Sequence, residues 1–176
     1  MPTVSNTSPL IWLSEIGKIS LLKKLFHEII IPEEVYTEAV ERGLQEGFSE
    51  ALVIKEGIDQ GWIKISRLSK KETALCQKIS EHAFEIHLGE AQAIVLARKM
   101  EALVLIDESS GRAFAEAWGL KAKGTLYMIL RALSSELLNK TEAKEIVLTL
   151  VGKGFRIEPN LLARIVREID AFPRSK

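Results

Sequence analysis

The spacing of apolar positions changes repeatedly along the chain and predicts strands and helices in turn. Compact apolar runs such as EIIIP and ALVLID are typical of buried parallel strands, whereas WIKISRL alternates apolar and polar residues like a half-exposed strand. Strands are predicted at 1–5, 28–32, 62–68, 102–107 and 120–124, with GFRI (154–157) as an edge strand. Apolar residues three and four apart predict helices at 9–16, 21–26, 32–43, 49–60, 69–83, 87–100, 110–118, 125–136, 144–151 and 159–169.

Small polar residues and prolines mark where the helices begin. Ser8 is expected to cap the first helix, with Pro9 in its first position, and Ser69 is expected to cap the helix that follows WIKISRL. Pro32 is expected in the first turn of its helix, where a missing N–H is harmless.

Strands that alternate with helices indicate a parallel sheet covered on both faces. In such sheets the chemistry lies outside the carboxyl ends of the strands. This rule selects the residues that follow the apolar runs, which are Asn6, Glu33 or Glu34, and the pair Asp107–Glu108.

Three acids are candidates for a functional cleft, and each also has an ordinary structural explanation. Asp107 follows five apolar residues on a rigid strand end, although DESSG is also a normal helix start. Glu90 opens an alanine-rich helix, where it would favour the helix dipole in any case. Glu38 shares a helix face with Glu34 and could be an ordinary solvated side chain.

Composition narrows the range of functions. The 176 residues correspond to about one domain, with 47% hydrophobic and 27% charged residues. Lys plus Arg and Asp plus Glu both number 24, so a general electrostatic attraction to nucleic acid is not expected. The single cysteine, Cys76, excludes an intrachain disulfide and fits a cytoplasmic protein. We expect no signal peptide, and no apolar run approaches the roughly 20 residues of a membrane span.

Five segments in order resemble the PIN-domain family of nucleases, most of all a prokaryotic branch related to the toxins of VapBC-type toxin–antitoxin pairs. The segments are VSNTSPLIWLSEIG, IIIPEEVYTEAV, LGEAQAIVLA, LVLIDESSGRAFAEAWGL and GTLYMIL. The resemblance implies an α/β fold, a three-layer α/β/α sandwich with a central parallel sheet. We expect one domain over 1–176, with a core of about 1–137 and a helical extension over 138–176.

The resemblance also assigns candidate roles. The family's four acids fall on Asn6, Glu38, Glu90 and Asp107 as catalytic residues. Asn6, Glu90, Asp107 and Glu108 would hold Mg²⁺ or Mn²⁺, whose preferred ligands are oxygens. Because Asn6 supplies an amide oxygen without a charge, metal binding should be weakened but not abolished.

Residues expected to bind substrate lie beside these acids. Ser8 matches the family's small hydroxyl residue, and Thr7 is its neighbour. Arg112 follows Asp107 by one turn, and Lys123 precedes Thr125, where a helix N-terminus could hold a phosphate. For the basic residues, ordinary solvated surface charge is the alternative.

The resulting hypothesis is a Mg²⁺- or Mn²⁺-dependent endoribonuclease, the toxin of a toxin–antitoxin pair. Its expected partners are RNA, an antitoxin protein and a second copy of the chain in a homodimer. Asn6 supports an alternative, a PIN-like module that binds RNA or protein without cleaving. A receiver-like phosphoacceptor centred on Asp107 is a further alternative, but TVSNTS lacks the acids that it would need after the first strand.

Overall fold

A computed structural model describes residues 1–83 and 85–173. The strands are β1 (Thr3–Ser5), β2 (Ile29–Pro32), β3 (Ile63–Ser66), β4 (Leu103–Leu105) and β5 (Ala122–Lys123). The helices are α1 (Thr7–Glu15), α2 (Ser20–Phe26), α3 (Glu33–Tyr36), α4 (Gly43–Gln45), α5 (Ser49–Asp59), α6 (Lys70–His82), α7 (Leu88–Met100), α8 (Ser109–Ala117), α9 (Thr125–Ser134), α10 (Lys140–Gly152) and α11 (Pro159–Ala171). A π-helical segment, Thr37–Arg42, joins α3 to α4.

The five strands form one sheet in the order β3-β2-β1-β4-β5, and all of the pairs are parallel. Val4 pairs with Ile30 on one side and with Val104 on the other. Because parallel strands run in the same direction, their carboxyl ends all lie at one edge of the sheet. The predicted α/β/α sandwich with a central parallel sheet is therefore confirmed.

Alternate strand residues face two different helical layers. Val4, Ile30 and Val104 are buried in one cluster with Ala93 and Ala97 of α7. Small side chains on α7 let this helix lie close to the sheet, and so carry the start of α7 to the sheet's carboxyl edge.

On the opposite face of the sheet, α5 packs against β3. Ile63 is buried there, and a Cβ added at Gly57 of α5 would lie 2.7 Å from Ile63 Cδ1. A glycine at this position therefore allows α5 to approach the sheet closely.

The chain forms two compact units, Met1–Thr125 and Leu126–Lys176. The first holds the sheet and helices α1–α8. In the second, α10 contacts α11, and Lys144 Nζ forms an ion pair of 2.5 Å with Asp170 Oδ1. The predicted division into a core of about 1–137 and an extension stays a prediction.

Three local predictions are wrong. The first helix begins at Thr7, so Asn6 and not Ser8 is its N-cap residue, and Pro9 is its third residue. Pro9 still breaks no helical hydrogen bond, because the first four N–H groups of a helix have no partner within it. Pro32 ends β2 and is the N-cap of α3 rather than part of its first turn. Residues 154–157, all of which the structure describes, lie outside any strand.

Ser69 caps α6 as predicted. Its hydroxyl accepts a bond of 3.3 Å from Glu72 N, and Glu72 Oε2 accepts from Ser69 N at 2.6 Å. In the described part of the chain, no helix is both long and apolar enough to cross a membrane.

Candidate active site at the carboxyl edge of the sheet

Backbone hydrogen bonds fix the sheet edge at which the predicted site residues lie. Asn6 N donates to Leu105 O at 3.0 Å, which ties the end of β1 to the end of β4. Ile106 N donates to Lys123 O at 2.8 Å and ties β4 to β5 in the same way. The residues that follow β1 and β4 therefore emerge side by side on rigid backbone.

Asp107 is half-buried, and Thr125 contacts both of its carboxylate oxygens. Thr125 N donates to Asp107 Oδ1 at 2.7 Å, and Thr125 Oγ1 donates to Oδ2 at 2.8 Å. Burial raises the pKa of Asp107 to about 6, against the lowering effect of the two Thr125 hydrogen bonds. The nearby charge of Glu108 raises this pKa further, and Arg112 lowers it. The structure thus brings Thr125 to Asp107 as a hydrogen-bond donor.

Arg112 closes the loop that carries Asp107. Its Nη1 donates to Ile106 O at 3.2 Å and also to Asp107 O. Arg112 therefore fixes the backbone of the loop, and its Nη1 is engaged in these two hydrogen bonds. Lys123 lies in β5 at the same sheet edge.

Glu90 is a buried acid, with 4% of its surface exposed. His87 N donates to Glu90 Oε2 at 3.1 Å, which places Glu90 in the first turn of α7. Within the described chain, Glu90 Oε1 is buried and has no hydrogen-bond partner. Burial raises the pKa of Glu90; the His87 hydrogen bond opposes this, and the charges of Glu108 and Glu38 raise the pKa further. Its neighbours therefore include both of those acids.

Glu38 lies in the π-helical segment and accepts a hydrogen bond from Thr7 Oγ1 at the start of α1. Glu34, which precedes Glu38 by four residues, forms an ion pair with Arg42, with 3.2 Å between Glu34 Oε1 and Arg42 Nη2. The π-helical turn that carries Glu38 inserts an extra residue into the helical repeat. Such turns are frequent at functional sites.

Glu108 is held by two donors from the first helix region. Asn6 Nδ2 donates to Glu108 Oε2 at 3.2 Å, and Ser8 Oγ donates to Oε1 at 2.6 Å. Asn6 is 3% exposed, and its Oδ1 has no hydrogen-bond partner in the part of the chain that the structure describes. Thr7 and Ser8, predicted as substrate-binding residues, are thus both hydrogen-bonded to acids.

Three glycines lie directly against three of these carboxylates. A Cβ added at Gly89 would lie 2.7 Å from Glu38 Oε2, and one at Gly124 would lie 2.8 Å from Asp107 Oδ1. A Cβ at Gly111 would meet Glu90 Oε1 and would lie 2.8 Å from Ile106 Cγ2. Larger residues would displace the acids, so these glycines belong to the site.

The sequence-based predictions missed these glycines, although the sequence carries a signal for them. Gly89 and Gly111 occur in the first turns of helices, where glycine is disfavoured relative to alanine, and Gly124 directly precedes one. Each stands within five residues of Glu90 or Asp107, or beside a predicted substrate residue. Glycine in such a place indicates a close approach to another group.

Comparison with known proteins identifies the family to which this sheet edge belongs. The sequence profile of the PIN-domain family matches residues 2–171. The chain belongs to the PIN-domain family. Structures similar to it include a chain of VapBC2 from Rickettsia felis, crystallised with a DNA fragment from the promoter. That alignment covers 70% of this chain and 98% of the other, at 17% identity and a TM-score of 0.49. Among curated proteins, none matches.

PIN domains generally use divalent metal ions, and the oxygens at this PIN site suit such an ion. Among residues 1–83 and 85–173, no three His, Cys, Asp or Glu side chains are gathered as a ready set of ligands. Two buried oxygens, Asn6 Oδ1 and Glu90 Oε1, nevertheless have no hydrogen-bond partner in that part of the chain. Hard cations such as Mg²⁺ and Mn²⁺ prefer oxygen ligands. The donor chemistry of the site therefore fits a divalent cation.

A groove of about 410 Å³ runs past Glu38 on this PIN domain. Its lining includes Arg42 and the acids Glu15, Glu46 and Glu50. Phe48, which is exposed, adds an apolar surface. Four acids against one arginine make this groove unsuitable for a phosphate backbone.

Proposed function

We propose that this PIN domain is a metal-dependent endoribonuclease that acts at the carboxyl edge of its sheet. The observation that carries the proposal is the buried carboxylate Glu90, whose Oε1 has no hydrogen-bond partner within the described chain. Burying such a group is costly unless another group compensates. A bound cation would compensate the charge of Glu90. It would also attract the carboxylates of the nearby acids Glu38 and Glu108.

Asn6, Glu90, Asp107 and Glu108 are the residues that would hold Mg²⁺ or Mn²⁺. When bound, such an ion activates a water and neutralises charge on the scissile phosphate. The chain's own contribution is positional. Thr125 fixes both oxygens of Asp107, and His87 N fixes one oxygen of Glu90. Ligands held on helix starts and strand ends in this way lose little freedom when the metal arrives.

The substrate is proposed to be single-stranded or structured RNA, held by Ser8, Thr7, Arg112 and Lys123. Arg112 and Lys123 supply positive charge on the β4–β5 side of the acids. The hydroxyls of Thr7 and Ser8 lie beside Glu38 and Glu108. With no net charge on the chain, RNA affinity should be modest and should fall as salt is raised.

A second candidate function is a PIN-like module that binds a protein partner without cleaving RNA. Two observations favour it: Asn6 stands where the family has its first acid, and the acidic groove beside Glu38 suits a cationic partner segment better than a nucleic acid. In a cytoplasmic toxin–antitoxin pair, the antitoxin would be the partner that fills this groove. Homodimer formation, suggested by the apolar sequence LLARIVREI, stays a prediction.

RNA cleavage with and without metal separates the two functions. The purified chain, treated with EDTA and then supplied with Mn²⁺, should cleave a mixture of single-stranded RNAs. EDTA alone should leave the RNA intact. Intact RNA in both conditions, with Mn²⁺ binding verified by calorimetry, would favour the non-catalytic module.

A further inference from the structure

The structure suggests where this chain carries the charge that Asn6 lacks. We propose that Glu108 supplies the carboxylate that is missing at position 6, and that Asn6 and Ser8 position it. This inference rests on the proposed metal-dependent function, because it assigns a ligand at the same site.

The contacts of Glu108 are the first reason. The residue is the N-cap of α8, and its exposed side chain would normally sample several rotamers. Asn6 Nδ2 and Ser8 Oγ instead contact one carboxylate oxygen each, at 3.2 and 2.6 Å. A carboxylate has about four acceptor positions, so these two bonds leave room for a cation.

The chemistry of position 6 is the second reason. An aspartate there would offer no N–H to Glu108, and it would place a like charge where Asn6 Nδ2 now lies, 3.2 Å from Glu108 Oε2. Asn6 and Glu108 therefore form a matched pair: the amide at position 6 lets a carboxylate approach from position 108. The site therefore keeps its negative charge, which is carried by position 108 rather than by position 6.

The surroundings of this pair indicate a cation. Asn6 is almost fully buried, and its Oδ1 has no hydrogen-bond partner in residues 1–83 and 85–173. Glu90 Oε1, at the start of α7, is also buried and also has no hydrogen-bond partner in those residues. The charge of Glu108 acts on both Glu90 and Asp107, because it raises the pKa of each. The carboxylate of Glu108 thus lies within electrostatic reach of both other candidate ligands.

Calorimetric titration of the full chain with Mn²⁺ tests the assignment independently of RNA cleavage. Glu108→Gln should weaken Mn²⁺ binding by at least about tenfold, since even the loss of an outer-shell partner commonly costs that much. Adding Asn6→Asp to Glu108→Gln should restore affinity to within about threefold of the wild type. Glu116→Gln removes an exposed acid from the other end of α8 and should leave affinity unchanged.

Asn6→Ala separates a positioning role from a merely structural one. It should weaken Mn²⁺ binding when Glu108 is present and add little in the Glu108→Gln background, because Asn6 acts partly through Glu108. Unchanged affinity in Glu108→Gln would overturn the proposal, as would failure of the double variant to recover or a wild type that binds no Mn²⁺. Recovery of Mn²⁺ binding without any RNA cleavage would instead refute the nuclease function and leave this assignment standing.

Discussion

Thr125 holds both carboxylate oxygens of Asp107, with its backbone N–H at 2.7 Å from Oδ1 and its hydroxyl at 2.8 Å from Oδ2. The two residues are 18 positions apart, just beyond the ends of β4 and β5. Burial nevertheless outweighs these bonds and raises the pKa of Asp107 to about 6. The protein therefore orients this acid at some cost to its own stability.

Asp107→Asn should stabilise the metal-free protein at neutral pH. The folded pKa of about 6 lies above the ordinary value of 3.8, so the folded state binds a proton more tightly than the unfolded state. Between pH 3.8 and pH 6, the contribution of Asp107 to the free energy of unfolding falls as pH rises. Above pH 6 the folded state carries the full cost of burying the ionised carboxylate. Asparagine removes the penalty and should add about 1–3 kcal/mol at pH 7.

Urea unfolding in EDTA at pH 7 and at pH 4 checks this prediction. The advantage of Asp107→Asn over the wild type should shrink as pH falls to 4, where the aspartate is protonated in the folded state. A difference that is the same at both pH values would contradict the account. Glu116→Gln, which changes an exposed acid, is the matched control and should show no such trend.

Gly111→Ala should damage the site by a purely steric route. The added methyl would meet Glu90 Oε1 and lie 2.8 Å from Ile106 Cγ2, so the buried carboxylate must move. We expect a loss of about 1–3 kcal/mol in unfolding free energy, together with weaker Mn²⁺ binding. Gly152→Ala is the control, since in the described chain its Cβ would meet no heavy atom within 4 Å beyond its sequence neighbours and its own helix backbone. It should be neutral or slightly stabilising. Equal effects of the two substitutions would refute the steric role of Gly111.

Glu90→Gln should separate metal binding from folding. A glutamine oxygen can still accept from His87 N, so the start of α7 keeps its cap, and the buried charge is removed. Unfolding free energy in EDTA should not fall, because burial already disfavours the charged form of Glu90. Mn²⁺ affinity, measured by calorimetry, should fall about tenfold or more. An unchanged affinity would show that Glu90 is not a ligand.

Asn6→Asp alone should destabilise the metal-free protein. The substitution exchanges a hydrogen bond to Glu108 for repulsion between two carboxylates, which we expect to cost about 1–3 kcal/mol. Saturating Mn²⁺ should recover most of that loss, because a cation between two acids favours their ionised forms. Thermal unfolding in EDTA and in Mn²⁺ measures both effects. A variant as stable as the wild type in EDTA would contradict the Asn6–Glu108 pairing.

The overall fold could be predicted because buried parallel strands require continuous apolar runs. EIIIP and ALVLID carry that signal clearly. Without any coordinates, the carboxyl-end rule then selected Asn6, Asp107 and Glu108, and also Glu33 or Glu34, which form ion pairs with Arg67 and Arg42. GFRI was misjudged because four residues with mixed polarity do not distinguish a strand from a loop. Ser8 was misjudged as a cap because Thr7 can begin the helix just as well, and Ser8 bonds to Glu108 instead.

The contacts between elements could not be read from the sequence. Nothing in the local pattern links Asn6 to Glu108, which is 102 residues away, or Thr7 to Glu38. The π-helical turn at Glu38 was also hidden, because it depends on how the helix packs rather than on residue propensity. The glycines beside the acids carried a signal, but only their neighbours in space explain it.

Mn²⁺-dependent cleavage of RNA by matched variants tests the central proposal most directly. Wild type, Asp107→Asn and Glu116→Gln would be compared with the same RNA, metal and salt concentrations, after far-UV circular dichroism shows equal folding. We expect cleavage by the wild type and by Glu116→Gln, and a loss of at least about 100-fold in rate for Asp107→Asn, typical of removing a group that acts at the reacting centre. Equal cleavage by all three proteins would contradict the proposal.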